Sequence, residues 1–348
     1  MNNNRYLLKK KKRRKKIIWL FLIPLFTLLI GAGVYGAYLF NKASNVAADS
    51  KTELNRGEKS VKRVEPVDPK HDNISILFVG VDDSATRSAE YGDAVRSDAL
   101  ILATLNESKK SIEMVSIPRD SYVYDPIRKK KDKINHAHVY NGVDGTIATV
   151  EELFDIPVDY YVKMNFEAFI DVVEALDGIT VDVPVSFTEQ DSKDRPDAIS
   201  LRKGIQELDG EEALALVRTR KIDSDIERGK RQQLVVKAII DKAISVGSIT
   251  KYGGVIDALG DNITTNLAFG EMLSLYDYAA SGQKLQIQNH VLEGVDDWTD
   301  RGYYYQVSKD KLEILSQTLK DHLGITSTGQ RDSSSEESVE DFTSVDTN

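Results

Sequence analysis

Ile74-Ser75-Ile76-Leu77-Phe78-Val79-Gly80-Val81 is a short, nearly unbroken apolar run. A run of this kind forms a strand covered on both faces, since a strand with one wet face alternates polar and apolar positions. Two similar runs follow, at 99–105 and 112–117, separated by a polar turn around Glu107 to Lys110. Tyr160 to Asn165 is another strand candidate. Ile179, Val181, Val183 and Val185 alternate with Thr180, Asp182 and Pro184, the period of a half-wet strand. Pro184 suits an edge position or a strand end. Helical periodicity fills the intervals at 144–154, 166–176, 209–217, 226–246, 268–280 and 306–322. Strands interleaved with helices predict a layered α/β fold around a central mixed sheet.

Working outward, Ser224-Asp225-Ile226-Glu227 has the form of a capping box, with Ser at the N-cap and Glu at N3. The helix behind it repeats Leu234, Val235, Ala238, Ile239, Ala243 and Val246 at helical spacing. Its first turns carry Arg228, Arg231 and Gln232 on one side, by the three- and four-residue rule.

The flanks differ from this middle. Residues 1–16 hold nine basic side chains and no acid, which leaves 37 basic against 55 acidic residues over 17–348, a net −18. Ile17 to Phe40 contains no charge in 24 positions, about 36 Å of helix against a hydrocarbon core of about 30 Å. Trp19 and Tyr38 stand near its ends, where amphipathic rings favour the interface. A cleaved signal peptide has a shorter apolar stretch, so 17–40 reads as a retained anchor. The basic block before it keeps the N-terminus cytoplasmic and puts everything after Phe40 outside the cell. With that topology the basic block meets anionic membrane lipid, and nucleic acid is no partner. Residues 41–70 read as a polar extracellular stalk, 71–328 as one α/β domain and 329–348 as an acidic, Ser-rich disordered tail. The absence of Cys excludes disulfide staples, thiolate zinc sites, a Cys nucleophile and a lipidated N-terminal Cys.

Three constellations carry chemistry. Asp82 and Asp83 follow the first strand and Asp98 precedes the second. Ligands gather at strand ends in open α/β sheets, and two carboxylates there can hold Mg²⁺, although Asp also serves in turns. Arg119, Arg218, Arg220, Arg228 and Arg231 cluster at element ends. The guanidinium fork suits bidentate phosphate recognition, with a solvated charged face as the plainer role. His136 and His138 alternate but have no evident third ligand for zinc, and Arg128 to Lys133 is a basic loop. No Walker glycine loop, Gly-x-Ser-x-Gly elbow or His-Glu-x-x-His occurs.

On several segments the chain resembles the LytR-CpsA-Psr family of cell-wall enzymes. They are Phe78 to Asp82, Arg96-Ser97-Asp98, Val115 to Asp120, Lys133 to Ala137, Asp159 to Val162, Leu208 to Ala215, Val217 to Arg220 and Asp225 to Gln233. The resemblance implies an αβα sandwich that binds a polyprenyl-pyrophosphate-linked glycopolymer. It implies transfer of the glycan with its proximal phosphate to a peptidoglycan hydroxyl, with Mg²⁺, replaceable by Mn²⁺, as cofactor. It places the metal on Asp82 and Asp98 and the pyrophosphate on Arg119, Arg218, Arg220, Arg228 and Gln232. Arg119 and Arg218 join Asp98 and Asp225 as catalytic, the two acids being candidate bases. Ser84 to Val95 is longer than the family pattern, so Asp83 remains a rival to Asp82. Phe154, Phe166, Phe169, Ile170 and Val173 are candidates for a lipid groove, or for ordinary core. A pyrophosphatase acting on the same donor, or a glycopolymer-binding regulator without turnover, are the alternative functions.

Overall fold

The apolar run at 74–81 is the inner strand of a six-stranded sheet. The computed structural model describes residues 35–82, 96–245, 263–279, 285–300 and 302–325. The basic tail, most of the expected anchor, Asp83, the 84–95 stretch and the acidic tail lie outside the described residues. Helix α1 covers 35–50, which includes the last six positions of the expected anchor. Among the described residues no helix is long and apolar enough to cross a membrane.

β1 (Ile74–Val81) pairs antiparallel with β2 (Ser97–Asn106), which pairs antiparallel with β3 (Ser111–Ser116). A hairpin of β4 (Tyr122–Asp125) and β5 (Lys130–Lys133) leads into α2 (Ile134–Phe154). The expected helix at 144–154 is the second half of α2, whose first half was not anticipated. The two halves meet at a break at Asn141 and Gly142, where Gly142 takes φ 57°. β6 (Tyr160–Met164) then lies parallel to β1, and α3 (Phe166–Ala175) follows. Asn165 caps α3 by accepting from the Ala168 amide at 2.9 Å.

The alternating strand is β7 (Ile179–Val183), with Pro184 just past its end. It stands outside the central sheet. After β8 (Phe187–Glu189) and β9 (Ile199–Leu201), β10 (Gly204–Leu208) pairs with β7. Helices α4 (Gly210–Arg218) and α5 (Asp225–Ser245) cover this ribbon. β11 (Ile263–Thr265) joins β6 at one sheet edge. Beyond α6 (Phe269–Ala279), β12 (Gln286–Val291) lies parallel to β3 at the other edge. The hairpin of β13 (Gly294–Thr299) and β14 (Gly302–Val307) precedes α7 (Lys309–Leu323). The strand order is therefore β11-β6-β1-β2-β3-β12, a mixed sheet.

Both faces of that sheet are covered. Leu77, Val79, Leu100, Leu102 and Val115 pack on one side with Ile147, Val150 and Phe154 of α2 and Leu315 and Leu319 of α7. Ile74, Ile76, Ile101, Ala103 and Met114 pack on the other with Tyr278 of α6 and Val236 of α5. Double coverage is why β1 reads as a continuous apolar run.

The stretch expected as a stalk differs from that reading. Thr52 N–H donates to Thr265 O at 2.8 Å, and Leu54 enters the core. Arg56 reaches Glu151 at 2.7 Å. Arg63 makes a forked contact with buried Asp159, Nε at 2.8 Å and Nη2 at 2.7 Å. These residues look solvated in sequence because their partners lie about ninety positions away. Removing one side of the Arg63–Asp159 pair strands a buried carboxylate. Arg63→Met should therefore lower stability in thermal melts by about 3 kcal/mol. Lys62→Ala, which breaks a pair with exposed Asp155, should change it by less than about 1 kcal/mol.

Candidate active site

The sheet gathers the site at one end. β1 and β6 finish there, β3 finishes there, and β2 begins there, with Val81 opposite Ser97. Asp82 and Asp98 consequently flank the same corner, and Arg119 stands three residues beyond β3. The start of α5 is pressed onto that corner. A side chain at Gly229 would overlap the Ser116 hydroxyl, so α5 approaches the end of β3 only because position 229 has none. Gln233 ties the same helix to both neighbouring strands, donating to Met114 O at 3.1 Å and His290 O at 2.7 Å. The Ser224 hydroxyl accepts from the Glu227 amide at 3.4 Å, the long limit of the expected cap.

Four of the five expected arginines meet here. Arg119 donates from Nη1 to Asp98 Oδ1 at 2.5 Å, and Arg220 Nη2 reaches that oxygen at 3.4 Å. Asp225 sits between two others, 3.1 Å from Arg228 Nη1 and 3.9 Å from Arg119 Nε. Asp98 and Asp225 are thus each lodged between two guanidiniums. Arg218 donates to Asp191 O at 3.1 Å and to Asp194 at 3.2 Å, with its guanidinium 5.6 Å from the Phe166 ring centroid. Gln232 donates to Val217 O at 3.3 Å.

Arg231 goes elsewhere. It is buried, pairs with Asp223, and donates to Leu216 O at 3.0 Å and Thr219 O at 2.8 Å, closing the end of α4. His136 Nδ1 donates to the Asp132 carboxylate at 3.0 Å, and Arg128 stacks 3.4 Å from the Tyr140 ring, so the basic loop leans on α2. No group of three acids and histidines suited to a metal occurs among the described residues.

The charges are crowded. Burial pushes the Arg228 guanidinium down; Asp225 opposes this while Arg119 and Arg220 add to it. Burial and the repulsion of Arg119 push Arg220 down, against Asp98. Burial also acts on Arg119, but Asp98, with Asp120 and Asp225, outweighs it and raises that group. Arginine stays protonated through shifts of this kind. Arg119, Arg220 and Arg228 therefore keep their charge in a half-buried corner, held among the carboxylates of Asp98, Asp120 and Asp225.

The same corner opens into a groove of about 280 Å³. Asp82, Asp98, Arg218, Arg220, Arg228 and Gln232 line its polar end. Phe166, Phe169, Met164, Val172, Leu214 and Val236 line the rest. Two of the five expected groove residues, Phe166 and Phe169, are among them. Phe154 and Val173 are fully buried in the core instead, and Ile170 packs against Gly210 of α4. Helix α5 carries both ends: Arg228, Gln232, Val236, Ile239 and Ile240 all face the groove. At three- and four-residue spacing that stripe runs from cation to amide to hydrocarbon. Gly80 and Ala99, paired across β1 and β2, line the groove with almost no side chain. Asp120 and Lys133, not anticipated, extend the polar end: Asp120 Oδ2 lies 3.4 Å from Arg119 Nε and its Oδ1 2.8 Å from Lys133 Nζ.

Asp82 and Asp98 offer hard oxygen donors beside the anion corner. That donor set fits Mg²⁺, which binds through one or two carboxylates and keeps its other positions for water and phosphate.

Fold and groove together define an α/β protein whose groove is charged at its head and apolar along its length, a lining suited to an amphiphile. Residues 37–321 match the model of the LytR_cpsA_psr family. The chain is 43% identical over 299 residues to the polyisoprenyl-teichoic acid–peptidoglycan teichoic acid transferase TagT of Bacillus subtilis, covering 86% of this chain and 92% of that protein. It is 39% identical over 305 residues to TagU of Bacillus licheniformis, covering 87% and 94%. A solved structure of TagT bound to LIIa-WTA superposes with a TM-score of 0.67 at 41% identity, over 78% of this chain and 99% of that one. Another, of YwtF (TagT) with bound octaprenyl pyrophosphate lipid, gives 0.63 at 39%, over 78% and 99%. The chain belongs to the LytR-CpsA-Psr family.

The division between site and scaffold is testable by melting. Arg231→Ala leaves Asp223 and two carbonyls without their donor and should cost about 3–5 kcal/mol. Arg220 is half exposed, and Arg220→Ala should shift stability by about 0.5 kcal/mol or less.

Proposed function

We propose that the chain is a cell-wall phosphotransferase. It moves an anionic glycopolymer, with its proximal phosphate, from a polyprenyl-pyrophosphate carrier to a hydroxyl of peptidoglycan. The relatives' names support teichoic acid as the polymer. The observation that carries the reading is one groove lined at its head by Arg218, Arg220, Arg228 and Gln232 and along its length by hydrocarbon.

In this scheme the arginines receive the pyrophosphate and the apolar groove receives the first prenyl units. The acceptor oxygen attacks the phosphorus on the glycan side, and the bond from that phosphorus to the bridging oxygen breaks. Polyprenyl monophosphate leaves, and the glycan's phosphate is now esterified to the wall. Negative charge grows on the leaving phosphate, where Arg119, Arg220 and Arg228 stand ready to neutralise it. Asp98 or Asp225 takes the proton of the attacking hydroxyl. Asp82 and Asp98 would hold Mg²⁺, whose contribution is Lewis-acid neutralisation of phosphate oxygens. The basic segment 1–16 and the uncharged segment 17–40 support a single-pass anchor in the cell membrane, N-terminus inside and catalytic domain outside.

The test uses the full chain with a lipid-pyrophosphate glycan, a peptidoglycan acceptor and Mg²⁺. Arg119→Ala and Arg218→Ala should each lower kcat by about 10²–10³-fold at a temperature where circular dichroism shows both variants still folded. Full activity in both variants contradicts the scheme, and glycan phosphate released to water in place of the wall product would make the enzyme a pyrophosphatase. Chelation of divalent cations and Asp82→Asn should both suppress transfer. Metal-independent turnover would remove the assignment of Asp82 and Asp98.

A further inference from the structure

The hairpin of β13 and β14 has a use that the transfer scheme leaves unassigned. Trp298 is 79% exposed at its tip, which leaves a broad aromatic face open to a ligand. Tyr303 lies directly across the ladder, the two ring centroids 5.1 Å apart at 52°. Tyr303 is held in place: its hydroxyl donates to Asp296 at 2.8 Å. Tyr304 packs edge-on against Tyr122 of β4 at 5.1 Å, which fixes the hairpin to the domain.

The platform is continuous with the anion corner. Lys133 Nζ sits 5.9 Å from the Tyr303 ring and 5.3 Å from the Tyr304 ring. The same ammonium is 2.8 Å from Asp120, whose other oxygen is 3.4 Å from Arg119 Nε. Aromatic faces, a cation and the catalytic arginine thus follow one another along the rim of the site.

We propose that Trp298 and Tyr303 form a sugar-stacking platform that docks the acceptor glycan strand beside Arg119. The proposal rests on the phosphotransferase reading, in which the attacking group is a hydroxyl of a saccharide chain. Pyranose rings present C–H groups on their flat faces, and the electron-rich face of an aromatic ring complements them. The hydroxyl rim of such a chain also finds acceptors here, because Asp296 and Asp300 are exposed on either side of Trp298. Those acids argue against the other use of an exposed Trp, insertion into a bilayer, since anionic headgroups would be repelled.

Trp298 reports on its own ligand. The chain has two Trp, so Trp19→Phe leaves Trp298 as the sole indole. The full chain carrying that change is titrated with a tetramer of β-1,4-linked N-acetylhexosamine, and in parallel with octaprenyl pyrophosphate. The tetramer should alter Trp298 emission saturably. By calorimetry, Trp298→Ala and Tyr303→Ala in the wild-type background should weaken tetramer binding about three- to tenfold, with Trp298→Phe retaining most of it. In transfer assays the same variants should raise the acceptor KM by a similar factor with kcat little changed. Unaltered emission, or equal tetramer affinity in Trp298→Ala, overturns the proposal. So does an emission change with anionic vesicles but none with the tetramer. Failure of the octaprenyl pyrophosphate arm would instead strike the donor reading, because that arm does not involve the hairpin.

Discussion

The approach of α5 to the end of β3 governs the rest of the site. Gly229 allows the helix to lie against Ser116, and Gln233 secures it to β3 and β12 through two carbonyls. At the adjoining position, that contact sets Arg228 beside Asp225 and, through it, Arg119. One to three turns later, it hangs Val236, Ile239 and Ile240 over the groove. The polar and apolar groove residues of α5 are therefore positioned by a single packing event. A side chain at 229 would move both together.

Charge balance follows from this placement. Asp98 and Asp225 each bridge two guanidiniums, and Asp120 links Arg119 to Lys133. The carboxylates keep like charges tolerable in a half-buried corner and pin the forks in place. A pyrophosphate entering there meets donors already oriented, which is the condition under which electrostatic stabilisation is largest. The hydrocarbon stripe beyond it supplies a separate term of about 25 cal/mol per Å² of apolar area removed from water. In the proposed scheme α5 serves both ends of the groove, with Arg228 and Gln232 at the head and Val236, Ile239 and Ile240 along the tail.

Much of this was legible in the sequence for a simple reason. Strands covered on both faces must be apolar throughout, so β1, β2 and β3 announce themselves. Arginines at element ends, as at 119, 218, 220 and 228, signal a site because ends of elements converge at sheet edges. Other features were hidden by distance or by ambiguity. Arg56 and Arg63 look like solvated stalk until Glu151 and Asp159 are brought to them. Ile239 reads as core in the sequence and does pack against it, yet it also lines the groove, because a lipid groove and a core have the same composition. Phe154, a candidate for groove or core for the same reason, belongs to the core. The β13–β14 hairpin has too few buried apolar residues for its alternation to show. Gly142 interrupts α2 with a left-handed turn that periodicity alone does not reveal.

The central claim is that one groove binds an amphiphile by its two ends, and titration calorimetry can separate them. Octaprenyl pyrophosphate and inorganic pyrophosphate are each titrated into the full chain and into Ile239→Asp, which puts charge in the hydrocarbon part of the groove. The account predicts at least a tenfold loss of affinity for the lipid and little change for the inorganic ion. Equal lipid affinity in the two proteins would contradict it.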